Sequence, residues 1–159
     1  MEANAEDIDS IMRAYDNLST FPDAIPALED LKRTANVECV VFSNGTRKML
    51  HNSVNGSNDL KPVSNIFSQL VSVDHIQSFK PNPEVYKYLA QCVSMVGHEA
   101  QMWLVSGNPF DVVGARAVGM NAAWVDRSGT GWQDHLGLEP TTIIRSLSEL
   151  VELVKSLKA

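Results

Sequence analysis

The feature that most constrains this chain is a recurring unit, in which a short, β-rich apolar run stops at a small polar loop and gives way to a helix-patterned stretch. Val37-Glu38-Cys39-Val40-Val41-Phe42 runs into Ser43-Asn44-Gly45, and Met102-Trp103-Leu104-Val105 runs into Ser106-Gly107-Asn108. Runs this short and this apolar read as strands buried on both faces, and Ser, Asn and Gly suit the tight loops that follow them. Further strands are expected at residues 70–73, 122–125 and 142–144, with helices at 46–54, at 83–96 and from the residues after Asn108 to Gly119. Ser146 is placed to N-cap a last helix that turns Leu147, Leu150, Val151 and Val154 inward. Strands alternating with helices in this way predict an α/β fold, a doubly wound and mostly parallel sheet.

Two helices precede the first strand. Ile8, Ile11, Met12, Tyr15 and Leu18 recur at helical spacing over residues 5–19. Asp23 is placed to N-cap the second helix, which tolerates Pro26 in its first turn and sets Ala27, Leu28 and Leu31 on one face. A chain of 159 residues with 44% hydrophobic content predicts one globular domain. Its 13 Lys+Arg against 19 Asp+Glu, a formal charge of -6, argue against nucleic acid or a membrane surface as a partner. No apolar run approaches the roughly 20 residues that span a bilayer. Residues 1–9 are acidic where a secretory signal is basic and then apolar, so a cytoplasmic protein is expected. Cys39 and Cys92 suit buried, reduced thiols better than a disulfide framework or a metal knuckle.

In doubly wound sheets ligands gather at the carboxyl ends of the strands, and three segments there carry chemistry. Ser43-Asn44-Gly45-Thr46 offers a hydroxyl, an amide and backbone N–H groups at a helix start, a natural cradle for an anion; equally, Ser43 is placed simply to cap the next helix. In Phe79-Lys80-Pro81-Asn82-Pro83-Glu84-Val85-Tyr86 the prolines fix the backbone and open a helix, holding the Lys80 ammonium at a defined point, with Tyr86 coming round one turn later. The plain alternative is a solvated surface lysine. In Ser106-Gly107-Asn108-Pro109-Phe110-Asp111, Asp111 can cap the helix or can orient a water or a lysine, and capping leaves Ser106 and Asn108 without a role.

Taken together, Ser43-Asn44-Gly, Lys80-Pro-Asn-Pro followed by Tyr86, and Ser106-Gly-Asn108-Pro-Phe-Asp111 resemble the second, third and fourth motifs of the haloacid dehalogenase superfamily. The resemblance runs from about residue 8 to the end and is nearest to the 2-haloacid dehalogenases, whose tail resembles Arg127-Ser-Gly-Thr and Ser146-Leu-Ser-Glu-Leu. It implies a Rossmann-like core at residues 21–159, with residues 1–20 the return from a helical cap domain. Phosphatases of the superfamily carry an acidic residue where this chain has Gly107, because a transferred phosphoryl group needs Mg²⁺ and Mg²⁺ needs oxygen ligands. Ser106-x-Asn108-x-x-Asp111 is instead similar to the dehalogenase pattern, although Gly107 stands where relatives often have a second serine. No metal and no cofactor are expected.

The family mechanism implies an aspartate that attacks C2 of a small halogenated carboxylic acid, forming an ester that water then hydrolyses. By position, Ser43 and Asn44 are expected to bind the substrate carboxylate and line the halide side, and Lys80 to hold the nucleophile ionised. Tyr86 and Ser106 would fix substrate or Lys80, while Asn108 and Asp111 would place the hydrolytic water. The nucleophile segment of the family, at the end of its first and central strand, has no match here; Asp7, Asp9, Asp16 and Asp23 lie on or beside helices. The chain is therefore expected to be incomplete as an enzyme, a fragment or alternative product whose missing strand comes from an N-terminal piece or a second copy. The other readings are a Mg²⁺-dependent phosphatase of the same superfamily and a non-catalytic interaction module. The runs at 37–42 and 102–105 are expected to flank an added strand from another polypeptide or a second copy, with Ser43, Lys80, Ser106 and Asp111 converging at its end; if the sheet has closed, the two runs pair directly, and if they stand about two strand spacings apart with nothing between, chain is missing.

Overall fold

The computed structural model describes residues 4–15, 19–34 and 36–156, which fall into two compact units dividing at Ser72 and Val73. The first unit holds α1 (Ala5–Tyr15), α2 (Ala24–Arg33), β1 (Cys39–Ser43), α3 (Arg47–His51) and β2 (Phe67–Ser72). A π-helical turn prolongs α3 to Gly56, and a 3₁₀ segment, Lys61–Ile66, leads into β2. Strands β1 and β2 are parallel, with Ser43 opposite Ser72 at their carboxyl ends and a register shift between Cys39 and Val40. Buried Ala27 and Leu31 of α2, Leu50 of α3, Val54, Val63, Ile66 and Val71 make the core of this unit. Helix α2 lies against the 3₁₀ segment, and α3 against β2.

Three expectations shift here. In α1, Ile8 and Ile11 are 53% and 63% exposed, so these two members of the expected apolar face are not core; the Met12 and Tyr15 side chains and Leu18 lie outside the described residues. Asp23 stands at the start of α2 with backbone angles that are already helical (φ −83°, ψ −11°), unlike the extended geometry of a capping residue. Finally, β1 starts at Cys39 and not Val37, because its partner β2 begins at Phe67 and the register starts there.

The second unit holds α4 (Pro83–Cys92), β3 (Trp103–Ser106), α5 (Pro109–Ala117), β4 (Asn121–Val125), β5 (Thr142–Ile144) and α6 (Glu149–Ser156). Its sheet runs β3-β4-β5, every pair parallel, as βα repeats demand. Helix α5 packs on β3, β4 and α4. Val112, Ala122 and Trp124 form a buried cluster with Leu104 and Trp132 against it. Helix α4 is shorter than expected: Val93 closes it, Ser94 turns into the left-handed region at φ 57°, and the Met95 amide returns to the Ala90 carbonyl. At the start of α6, Glu149 reaches back to accept from the Arg145 and Ser146 amides at 2.8 and 3.0 Å, while Ser146 Oγ accepts from the Ser148 amide. The Ser-x-x-Glu spacing thus closes the helix start mainly through its glutamate.

The strands expected to be buried on both faces are not. All five residues of β1 are half-buried, and Val105 of β3 is 39% exposed, whereas Ala122, Ala123 and Trp124 of β4 are buried. The difference follows pairing: β4 has a neighbour on each side, while among the described residues β1 pairs with β2 alone and β3 with β4 alone. The two sheets are separate, so the described residues show no direct ladder between β1 and β3.

Candidate functional site

The second unit builds a buried cluster from three elements. The loop before α4 brings Lys80, α4 brings Tyr86, and the first turn of α5 brings Asp111. Asn82 caps α4, its side chain accepting from the Glu84 amide at 3.0 Å, with Pro83 as the first helical residue. Lys80 Nζ lies 2.9 Å from Asp111 Oδ2, with the two side chains 10% and 5% exposed. The Tyr86 hydroxyl donates to Asp111 Oδ1 at 2.8 Å, from a residue with no exposed surface. Asp111 is therefore held through both oxygens. Its seat in the first turn of α5 adds the favourable end of the helix dipole for a carboxylate. Lys80 is accordingly not a solvated surface lysine, and Asp111 orients it; the cap position of α5 belongs to Asn108, whose carbonyl accepts from the Asp111 and Val112 amides. Burial first, then the charge and hydrogen bond of Asp111, push the Tyr86 phenol above its ordinary range.

Gly114 makes this contact possible. A Cβ at that position would lie 2.6 Å from Tyr86 Cζ, inside any real contact distance, so the tyrosine ring occupies the space that a side chain on α5 would fill. A glycine inside a helix costs about 1 kcal/mol relative to alanine. Here it admits the ring, and the ring delivers its hydroxyl to the aspartate one turn earlier.

Ser106 and Asn108 stand beside this cluster at the carboxyl end of β3. Ser106 Oγ accepts from the Asn108 amide at 3.1 Å, and Asn108 is exposed. The loop between them is pinned by Trp124, whose indole N–H donates to the Gly107 carbonyl at 3.3 Å. Beyond β4, buried Asp126 organises residues 126–131, accepting from the Gly129, Thr130 and Gly131 amides at 2.9, 3.2 and 2.7 Å. Those bonds, led by Gly131, hold its carboxyl below the usual range. Pro109, Trp124, Thr130, Gly131, Gln133 and Asp134 line a cavity of about 280 Å³ between this loop and the start of α5.

In the first unit, Ser43 and Asn44 stand at the carboxyl end of β1. Ser43 Oγ accepts from the Gly45 amide at 3.0 Å, while Thr46 caps α3 by accepting from the Met49 amide at 3.2 Å. Ser43 is therefore not the helix cap. The two strand-end serines, Ser43 and Ser106, make the same local bond to the amide two residues on, which leaves each hydroxyl hydrogen to donate elsewhere.

Of the expected site residues, the structure joins Lys80, Tyr86 and Asp111 directly, with Ser106 and Asn108 on the same loop as Asp111. Tyr86, expected to fix substrate or Lys80, has its hydroxyl on Asp111, so its reach to Lys80 runs through that carboxylate. Sequence reading missed Gly114, Trp124, Asp126 and Ser72. Only Asp126 carried a local signal, an aspartate followed by Arg-Ser-Gly-Thr-Gly at a strand end. Among the described residues, no three His, Cys, Asp or Glu side chains gather to hold a metal ion. Cys39 and Cys92 are free, half-buried thiols, and burial pushes Cys39 up. No helix among the described residues is long and apolar enough to cross a membrane.

Known proteins place this arrangement. Haloacetate dehalogenase H-2 of Moraxella sp. (strain B) is 32% identical over 140 residues, 88% of this chain and 59% of that protein. (S)-2-haloacid dehalogenase 1 of Pseudomonas sp. (strain CBS-3) is 31% identical over 144 residues, 91% of this chain and 60% of that protein. The chain thus spans about 60% of the length of these curated relatives. The structure of the L-2-haloacid dehalogenase from Xanthobacter autotrophicus matches with a TM-score of 0.85 at 26% identity, covering 98% of this chain and 69% of that one. A phosphatase from Thermococcus onnurineus matches less closely, with a TM-score of 0.70 at 25% identity, over 92% of this chain and 64% of that one. The family model for haloacid dehalogenase-like hydrolases matches residues 2–125, most of the βα repeats described above, and the chain belongs to that family.

Proposed function

We propose that this chain carries the greater part of a 2-haloacid dehalogenase, which removes halide from small 2-haloalkanoic acids by hydrolysis and without a metal. The observation that carries the reading is the state of Asp111: one oxygen is taken by Lys80 and the other by Tyr86, while the neighbouring position that would offer a second carboxylate is Gly107. Mg²⁺ asks for several oxygen ligands, which a phosphatase supplies from carboxylates at these positions. Here the one carboxylate is used to aim a lysine. A lysine so aimed suits chemistry in which a carboxylate must stay ionised and point at carbon.

In the first step a carboxylate oxygen bonds to C2 as the C2–halogen bond breaks, and halide leaves with the electron pair. Water then adds to the carboxylate carbon of the ester and the bond from that carbon to the substrate oxygen breaks, so the 2-hydroxy acid leaves with one water hydrogen, the other is released as a proton, and the carboxylate is restored. Lys80 holds the attacking group ionised, with Asp111 and Tyr86 fixing Lys80. Ser43 and Asn44 take the substrate carboxylate and line the halide side, Ser106 fixes substrate or Lys80, and Asn108 and Asp111 place the water. The attacking aspartate is supplied by a further segment or a second copy. The names of the relatives favour S enantiomers as substrates. The acidic surface and the free thiols suit a cytoplasmic enzyme with no nucleic-acid or membrane partner.

The test supplies the chain with its strand-bearing segment and measures halide release from (S)-2-chloropropionate beside phosphate release from p-nitrophenyl phosphate, each with and without Mg²⁺. Halide release indifferent to Mg²⁺ is expected. Phosphate release that needs Mg²⁺ overturns the reading, and turnover of neither compound assigns the chain to the non-catalytic members of its fold.

A further inference from the structure

Ser72 ends β2 opposite Ser43 and is buried, an unusual place for a hydroxyl with nothing to do. Its Oγ donates to the Gly45 carbonyl at 2.6 Å, at the short end of the range for such a bond. Gly45 is the same residue whose amide donates to Ser43 Oγ. One glycine is thus tied at both ends, through its C=O to Ser72 and through its N–H to Ser43. The approach is close: a Cβ on Gly45 would lie 3.3 Å from Ser43 Oγ. A serine oxygen that accepts from Gly45 has its single hydrogen left to give, and a carboxylate oxygen is a strong acceptor for it.

We propose that Ser72 is a positioning residue for the substrate-binding loop: by anchoring the Gly45 carbonyl it keeps the Gly45 amide on Ser43 and so fixes the Ser43 hydroxyl as a donor to the carboxylate of a small 2-halo acid. The inference rests on the dehalogenase reading above and adds a residue that never touches substrate. Without the Ser72 bond the Gly45–Thr46 peptide loses its anchor, and the φ and ψ of the glycine, which carry the Gly45 N–H of the preceding peptide, are less restrained. The Gly45 N–H is then held less firmly on Ser43 Oγ, and the Ser43 hydrogen loses its one preferred direction.

The experiment is a titration of the ¹⁵N-labelled full chain with sodium propionate, following the amides of Ser43 to Thr46, with sodium chloride at matched ionic strength as the control for halide. Wild type is expected to show saturable shifts with propionate. Ser72→Ala should raise the half-saturating concentration about tenfold, the size of one lost hydrogen bond to a charged ligand's binding group, and Ser72→Thr, which keeps the hydroxyl, should restore it. Ser72→Cys, with its weaker donor, is expected between the two and serves if the alanine variant does not fold. Val63→Ala, a core truncation elsewhere in the same unit, controls for general loss of stability and should bind as wild type does. Unchanged affinity in Ser72→Ala, or an equal loss in Val63→Ala, overturns the inference while leaving the dehalogenase reading intact. A wild-type chain that ignores propionate overturns the carboxylate assignment of the loop, and the inference with it.

Discussion

Lys80 and Asp111 are 31 positions apart and meet only because α4 and α5 pack together over a glycine. Gly114→Ala places a methyl group inside the Tyr86 ring, so the ring must withdraw and take its hydroxyl off Asp111. A loss of about 1–3 kcal/mol is expected from overpacking of this kind, readable from urea midpoints. Tyr86→Phe keeps the ring and removes only the hydroxyl, leaving a buried carboxylate oxygen short of a partner at a similar cost of about 1–3 kcal/mol. The pH dependence separates the two halves of that effect. Because the folded state holds the phenol protonated above its ordinary range, the unfolded chain releases this proton first as pH rises past about 10. The stability Tyr86 contributes is whole below about pH 10 and falls away above it. Urea midpoints across the alkaline range should therefore decline more steeply in wild type than in Tyr86→Phe. A matching alkaline slope in the variant would show that the phenol is not the group responsible.

Among the elements, the loop after β4 offers the sharpest acid-side prediction. Asp126 gathers three amides, and its carboxyl is held below the usual range, chiefly by Gly131. The sign is opposite to that of Tyr86: the unfolded carboxyl takes up a proton first, near pH 4, so the contribution is present above that value and is lost as pH falls toward the folded value. Asp126→Asn replaces one accepting oxygen with a donor that meets the Gly131 amide, and its acid denaturation, followed by tryptophan fluorescence of Trp124 and Trp132, should be flatter than that of wild type. The positions of the strands were legible in the sequence to within a few residues because apolar runs bounded by Ser, Asn and Gly leave little choice. Their ends were not, since β1 and β2 begin where each finds the other, a register no local pattern contains. The same limit applies at the site. Lys80, Tyr86, Ser106, Asn108 and Asp111 were visible from their places after strands and in first turns, whereas Gly114 and Ser72 look like a helix small residue and a strand-end serine until the third dimension gives each a neighbour.

For the whole molecule, what matters most is where strand pairing stops. Among the described residues β1 and β3 each have one neighbour, and their apolar side chains, Val105 among them, keep water contact that β4 has shed. An apolar edge without charge or proline is a template for another strand. A synthetic peptide of parallel-strand pattern, apolar and ending in Asp, is expected to raise the thermal midpoint of the chain, while the same peptide with a central proline is not. If neither peptide changes the midpoint, the edges do not accept a strand. The half-buried state of β1 and β3 then has a consequence for how this protein is to be measured at all. A fold completed by a binding event obeys mass action, and its stability grows as RT ln(1 + [L]/Kd) with the concentration of whatever completes it. If a second copy completes it, two preparations of identical sequence at different dilution give different melting temperatures, and dose, as much as sequence, decides how much of the chain is folded.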